Sequence, residues 1–176
     1  TKSYVTEVFE SGVNEFGWDA DNNHIFFSGV WHGQTQLYRT DLKGHVKQLT
    51  NDTCDYSLVQ VISSKLLLAK RQSMQRADEV YENKNFYDNL EWGDVKARWV
   101  KTVDGKQELC WVIYPPKFDA SKKYPALLFC EGGPQSPVSQ FWSFRWNMQI
   151  MAANVYIVLP PNRRGLPGFG MAWREE

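Results

Sequence analysis

The feature that most limits the fold of this chain is a continuous apolar segment within Tyr124–Cys130 that runs directly into a glycine-rich stretch, Glu131–Pro134. An apolar run without polar alternation is typical of a strand buried on both faces of a parallel sheet. Val155–Leu159 is a second run of the same kind. Parallel strands need a crossover connection, which is usually a helix. The sequence therefore predicts a parallel pair of strands joined by a helix within Gln140–Asn154.

The crossover segment itself carries two conflicting patterns. Alternate residues between Phe144 and Ile150 are apolar, which by itself favours a strand. Trp142, Trp146, Ile150 and Ala153 also fit one face of a helix. Because the topology requires a crossover, we predict a helix with this face buried.

The first half of the chain has the pattern of short strands separated by polar turns such as Asp19–Asn23. The predicted strands are Val13–Trp18, His24–Val30, Gln36–Thr40, Val46–Leu49, Leu58–Ile62, Lys65–Lys70 and Ala77–Tyr81. Four antiparallel strands in about 40 residues are typical of one blade of a β-propeller, although a simple meander fits the same pattern. Composition changes near Asn83, and the Asp104-Gly105 turn then predicts a hairpin of Val95–Val103 with Lys106–Tyr114.

Charge and cysteine content exclude several classes of protein. Basic and acidic residues are equal at 20 each, so nucleic-acid and membrane-surface partners are not expected. Cys54, Cys110 and Cys130 form no Cys-x-x-Cys pair, so we expect no zinc site, and we expect no other metal or cofactor. One disulfide between two of these cysteines is possible, but three buried free thiols are the simpler interpretation.

Four segments together resemble a known family: Lys123–Leu128, Gly132–Ser136, Asn162–Gly165 and Gly168–Gly170. They are similar to the prolyl oligopeptidase family of serine peptidases, in its dipeptidyl aminopeptidase and acylaminoacyl-peptidase branch. That family joins a β-propeller to a C-terminal α/β-hydrolase domain. The resemblance implies a mixed β and α/β fold, in which residues 1–90 are the C-terminal part of a propeller and residues 91–176 the N-terminal part of the hydrolase.

The resemblance also implies a function. The parent protein would be a serine exopeptidase that releases dipeptides or other short N-terminal units from peptide substrates, with the propeller as a size filter. A non-catalytic propeller-type binding module and an esterase-type hydrolase remain as alternatives. The glycine loop after a buried strand disfavours the first, and the propeller-like repeats disfavour the second. A periplasmic or secreted location is favoured by the resemblance, with the cytoplasm as the alternative.

The catalytic triad is not expected within this chain. No Gly-x-Ser-x-Gly elbow occurs, and in an α/β-hydrolase the acid and histidine follow that elbow. His24, His32 and His45 all precede the hydrolase part, so we expect them at the surface or in turns. Because the chain begins at Thr1 and ends at Glu176 in an apparent helix start, we expect a fragment truncated before the nucleophile. It would be inactive alone and ordered by the rest of its own polypeptide or by another copy.

The glycine-rich loop is the candidate for binding the oxyanion. In this fold one oxyanion donor is the amide after the serine, and the other comes from an early loop. Glycine lets a backbone approach a substrate closely and adopt unusual φ angles. We predict that the Gly132 amide is the donor, supported by Gly133. The alternative is a turn that only connects a strand to a helix.

Three charged residues beside this loop are substrate-binding candidates. An ionised Glu131 about 4 Å from an oxyanion would be repelled by roughly 4 kcal/mol at an effective dielectric of about 20. Its side chain is therefore expected to point away, to pair with Arg163 or Arg164, or to be protonated. One hypothesis is that Glu131 binds the α-ammonium of the substrate; a structural ion pair is the alternative. Arginine after the second strand is suited to holding a carboxylate, although the resemblance implies that Arg164 is mainly structural.

Overall fold

The computed structural model describes residues 4–78, 87–132 and 136–175. Within them the strands are β1 (Val13–Trp18), β2 (His24–Trp31), β3 (Gln34–Asp41), β4 (Val46–Gln48), β5 (Asp55–Ser63), β6 (Leu66–Gln72), β7 (Val95–Lys101), β8 (Gln107–Ile113), β9 (Ala126–Leu128) and β10 (Ile157–Leu159). The helices are α1 (Met148–Ala153) and α2 (Met171–Arg174). No helix among the described residues is both long and apolar enough to cross a bilayer.

The first sheet is an antiparallel meander in the order β1-β2-β3-β4, as the turn pattern predicted. Both Phe26 and Phe27 of β2 are buried, because the sheet is covered on both faces. Phe26 packs with Leu37 and Leu58 against the β5–β6 hairpin. On the opposite face Phe27 stacks on Tyr38, with ring centroids 5.3 Å apart. On this second face the contact between the aromatic rings stabilises the sheet in addition to the burial of apolar area.

The β5–β6 hairpin forms a two-stranded sheet of its own. The predicted strands Leu58–Ile62 and Lys65–Lys70 are confirmed, with ends that extend a few residues further. The predicted strand Ala77–Tyr81 is wrong at Ala77 and Asp78, which lie in no strand. Its remaining residues lie outside the described part of the chain. Alanine and aspartate are both depleted in strands, so these two positions favour a strand only weakly.

The third sheet has the order β7-β8-β10-β9. The predicted hairpin β7–β8 is confirmed, and Gly105 in its turn has φ +87°, a value that favours glycine. β9 and β10 pair in parallel, as predicted. The prediction that the first apolar strand is buried on both faces is wrong: Leu128 is 65% exposed. β9 is the outermost strand of this sheet, whereas Val158 in the inner strand β10 is fully buried.

The crossover contains a helix, but only a short one. Ser143 Oγ accepts hydrogen bonds from the amides of Arg145 and Trp146, which keeps this stretch in a turn. Asn147 then caps α1 by accepting from the Gln149 and Ile150 amides at 2.9 and 3.1 Å. The predicted extent of the helix is therefore wrong.

The helical face predicted to be buried is also wrong. Ile150 is 63% exposed, and Trp142 precedes the helix. Met148 and Ala152 are buried instead. They join a core cluster whose other buried members are Met74, Leu109, Trp111, Ile113, Val138 and Val158.

The cysteines are free thiols, as predicted. Cys54 is buried, Cys110 is half-buried and Cys130 is exposed. The expectation that all three are buried is thus wrong for Cys130, because it lies just beyond the exposed edge strand β9. Burial raises the pKa of the Cys54 and Cys110 thiols to about 11, so both stay protonated near neutral pH.

Candidate functional site

Two loops meet at one edge of the third sheet. Because β9 and β10 run parallel, their carboxyl ends lie side by side, and the segments that follow both strands leave the sheet there. The Phe129 amide donates to the Leu159 carbonyl at 3.0 Å and keeps the two chains together as they leave the strands. Glu131 and Gly132 lie on the first loop, and Arg163 and Arg164 on the second.

Asn162 ties the two loops together. It is fully buried, its Oδ1 accepts from the Val138 amide at 2.8 Å, and its Nδ2 donates to the Val138 carbonyl at 3.1 Å. Its own amide donates to the Leu109 carbonyl at 2.7 Å. The Trp111 indole also donates to the Val138 carbonyl, at 3.0 Å. Asn162 stands in a segment that carried the family resemblance, but sequence reasoning assigned it no role.

A buried aspartate of the first half of the chain holds the end of the first loop. Asp55 is 5% exposed; its Oδ2 accepts from the Ser139 hydroxyl at 2.6 Å, and its Oδ1 accepts from the Thr35 amide at 2.8 Å. Gln72 is the cross-strand partner of Asp55, and its side-chain oxygen accepts from the Trp142 amide at 3.2 Å. Two residues at the open end of the β5–β6 hairpin therefore accept hydrogen bonds from this segment. The sequence carried no signal for this contact.

The environment of Asp55 changes its acidity. Burial raises the pKa of this carboxyl above its ordinary value, while the hydrogen bonds from Ser139, Thr35 and the Gln140 amide oppose that rise. These donors all favour the ionised form. The carboxyl is thus a satisfied buried group and not an unpaired charge.

Gly132 is exposed, and a Cβ added to it would meet no atom of the described residues within 4 Å. Its φ angle lies outside the left-handed region. Among the described residues its amide donates to no backbone carbonyl. An oxyanion donor needs an N–H that is not already engaged, and the Gly132 amide meets that condition toward the described backbone carbonyls. Gly133 lies outside the described residues.

Arg164, the first of the three charged candidates, contacts an aspartate and a tryptophan. Arg164 forms an ion pair with Asp104 in the β7–β8 turn, and its guanidinium lies over the Trp173 ring at 5.9 Å from the centroid. The pKa of Asp104 is lowered, chiefly by the hydroxyl of Thr102 and further by Arg164. These contacts give Arg164 a structural setting, which agrees with what the resemblance implied.

The hydrogen bonds of Arg163 link it to Arg164 and Trp173. Its Nη1 donates to the Arg164 carbonyl at 3.1 Å, and its carbonyl accepts from the Trp173 indole at 3.1 Å. Glu131 is half-buried, and in the described part of the chain neither arginine forms an ion pair with it. The structure thus brings Glu131 and Gly132 onto one loop but does not join Glu131 to the arginines.

The three histidines lie in turns or at a strand start, as expected. His24 and His45 are each held by an aspartate in an exposed turn. His32 instead stacks on Trp31 with centroids 4.7 Å apart and packs edge-on against Trp99 at 5.2 Å. Its amide donates to the Gly168 carbonyl at 2.7 Å, so it joins the first sheet to the second loop. Burial lowers the pKa of His32, which keeps it neutral near pH 7.

A cleft of about 230 Å³ separates the first sheet from the two loops. The sheet side contributes Ser11, Gly12, Asn14 and Val30, and the loops contribute Ser136, Pro137, Ser139 and Pro167. A wider and more apolar groove of about 720 Å³ lies beside α1, between the crossover segment and the stretch around Trp92. The loops thus border a small polar cleft that is walled by both halves of the chain.

The sequence of this chain is similar to those of known proteins. No family model matches it. Dipeptidyl-peptidase 5 of Porphyromonas gingivalis is 41% identical over 190 aligned residues, which take in 99% of this chain and 28% of the relative. Dipeptidyl-peptidase 5 of Porphyromonas endodontalis is 42% identical over 169 residues, or 86% of this chain and 24% of the relative.

Over nearly its whole length, this chain is homologous to bacterial dipeptidyl-peptidase 5. The resemblance to the dipeptidyl peptidase branch of the prolyl oligopeptidase family is confirmed. The chain spans about a quarter of the length of these relatives, at 28% and 24%.

Solved structures show the same fold. An acylaminoacyl peptidase of Pyrococcus horikoshii matches 96% of this chain and 28% of its own, with a TM-score of 0.78 and 18% identity. Dipeptidyl peptidase 4 of Porphyromonas gingivalis matches 94% of this chain and 26% of its own, with a TM-score of 0.71 and 20% identity. At these identities the likeness concerns the fold alone.

Proposed function

We propose that the whole protein is a serine exopeptidase that releases dipeptides or other short N-terminal units from peptides, and that this chain supplies one wall of its oxyanion hole. The observation that carries the proposal is Gly132 itself, an exposed glycine on the loop after β9 whose amide donates to no backbone carbonyl among the described residues. The names of the homologous proteins support the same reaction class.

The proposed division of the chain follows the sheets. Residues 1–90 form the last blades of a β-propeller, and residues 91–176 form the first strands of an α/β-hydrolase domain. The antiparallel sheets β1–β4 and β5–β6 support the first assignment, and the mixed sheet with its parallel pair β9–β10 supports the second. The cleft lined by both halves is then a route for a peptide toward the loop.

The proposed chemistry gives this chain an electrostatic role. A serine elsewhere in the full-length protein attacks the peptide carbonyl, and the Gly132 N–H donates to the oxygen as it becomes negative. A fixed donor of this kind is worth roughly 2.7–4 kcal/mol in the transition state. Asn162 and Asp55 hold Val138 and Ser139, at the end of the segment that follows this loop. Glu131 binds the substrate's α-ammonium in this proposal.

The test compares Gly132→Pro with Gly132→Ala in the full-length protein. Proline removes the N–H, whereas alanine keeps it, and its Cβ meets no atom of the described residues within 4 Å. With a dipeptide amide of a chromogenic amine, we expect kcat to fall by about 10²–10³-fold for proline and to stay within a few-fold for alanine. A folded proline variant with unchanged kcat would contradict the proposal.

A further inference from the structure

The turn between β1 and β2 brings together three potential metal ligands. Among the described residues, Asp19, Asp21 and His24 each offer a ligand atom, and these atoms lie within 4.8 Å of one another. The stretch Asp-Ala-Asp-Asn-Asn also begins like the Asp-x-Asp-x-Asn series of calcium loops, with His24 in place of the usual glycine. Sequence analysis treated this stretch only as a polar turn.

Asp19 is the unusual member of the cluster. The residue is 2% exposed, and neither of its carboxylate oxygens has a hydrogen-bond partner in the described part of the chain. Its backbone is engaged, because its amide donates to the His24 carbonyl and its carbonyl accepts from the Asn22 amide, both at 3.0 Å. Buried carboxylates are normally hydrogen-bonded, paired or bound to a metal. A cation between Asp19 and its two neighbours would supply the missing partner.

Asp21 and His24 form the open side of the cluster. The Asp21 Oδ2 lies 2.8 Å from the His24 Nδ1, and the Asp21 Oδ1 accepts from the Asn23 amide at 2.8 Å. Their side chains are 39% and 29% exposed, so an ion can reach the buried Asp19 from solvent past them. The turn therefore places Asp21 and His24 next to solvent and Asp19 in the interior beside them.

We propose that Asp19, Asp21 and His24 form a binding site for a divalent cation of the zinc type, with water completing the coordination. Two carboxylates and one imidazole suit Zn²⁺ better than Ca²⁺, which prefers oxygen ligands alone. The ion would fasten the β1–β2 turn and so stabilise the first sheet. This site is independent of the proposed peptidase chemistry.

The same sheet contains a matched control. Asp41 and His45 form a similar exposed turn with a 2.7 Å contact between Oδ2 and Nδ1, but no third ligand joins them among the described residues. If an aspartate and a histidine in a turn were enough to bind Zn²⁺, both turns would bind it. If Asp19 is required, only the first turn will.

The experiment titrates Zn²⁺, and separately Ca²⁺, into metal-free full-length protein by calorimetry and by thermal unfolding. We expect a Zn²⁺ site whose affinity falls at least tenfold in Asp19→Asn, in Asp21→Asn and in His24→Gln. His45→Gln should leave that site unchanged. Saturating Zn²⁺ should raise the unfolding temperature of the parent and of His45→Gln by a few degrees, but not that of Asp19→Asn.

Asparagine at position 19 or 21 keeps one side-chain oxygen, so the turn at Asp21 retains an acceptor and far-UV circular dichroism should confirm a native fold. Absence of a Zn²⁺ site, a site that survives Asp19→Asn, or Ca²⁺ binding that is tighter than Zn²⁺ binding would each overturn the proposal. Because the readout is metal affinity and stability, failure of the peptidase assignment would not alter it.

Discussion

At the scale of single residues, the side chains that hold the segment after the glycine loop are an amide and a carboxylate with partners far away in the chain. Asn162 holds Val138 from 24 positions away, and Asp55 holds Ser139 from 84 positions away. Neither contact has a local signature, whereas the glycine-rich loop stands out in the sequence. The sequence therefore pointed to the glycine-rich loop, but it gave no sign of the contacts made by Asn162 and Asp55.

Asp55 makes a prediction about pH. Because burial raises its native pKa above the unfolded value, the native state binds more protons between those two values. The stability of the parent relative to Asp55→Asn should therefore fall as pH rises through that window and be constant above it. Urea unfolding of both full-length proteins across pH 3–8 measures this difference.

Asp41→Asn is the control, since it has the opposite sign. The pKa of Asp41 is lowered to about 2, mainly by the His45 amide and side chain. The stability that Asp41 contributes is therefore present above the unfolded pKa and is lost as pH falls. Parallel pH profiles for the two variants would contradict the assignment of Asp55 as a carboxyl with a raised pKa.

At the scale of elements, caps decided where the crossover helix begins. The apolar positions permitted a helix from Gln140, but the serine turn and the Asn147 cap delay it to Met148. Trp142 and Trp146 of the predicted face therefore lie outside the helix, which spans Met148–Ala153. The prediction of a helix was right, and the prediction of its face was wrong.

The Asn147 cap is open to a direct test. Asn147→Ala removes the acceptor for the Gln149 and Ile150 amides and should lower the free energy of unfolding of the full-length protein by about 1 kcal/mol. Asn147→Asp keeps an acceptor and should lie close to the parent. Urea denaturation measures both. Equal stability of the alanine variant and the parent would show that α1 is held by Met148 and Ala152 alone.

At the scale of the whole molecule, the third sheet leaves one side of β9 unpaired, and large apolar side chains are exposed at Leu128, Phe144 and Ile150. Unpaired edges and exposed apolar groups favour association. We predict that the isolated 176-residue chain either self-associates or lacks a cooperative unfolding transition. Sedimentation and thermal melts test this, and a demonstrably monomeric chain with a cooperative melt would contradict it.

The isolated chain is also predicted to be catalytically silent. It contains no Gly-x-Ser-x-Gly elbow, and its three histidines lie in turns or at a strand start of the first sheet. The measurement is the rate at which the purified chain hydrolyses a dipeptide amide, relative to the rate of the full-length protein. Substantial turnover that is free of contaminating peptidase would refute the placement of the nucleophile outside this chain.

The sequence alone determined the meander, the Asp104-Gly105 hairpin and the parallel pair, because alternation, turn residues and apolar runs act over a few neighbouring positions. Only the tertiary structure decided that β9 lies at an edge, that α1 starts at Met148, and that Asp55 and Asn162 hold the loops. It also left the Asp19 carboxylate buried without a hydrogen-bond partner among the described residues. These features depend on which distant groups meet, and a local pattern does not encode that.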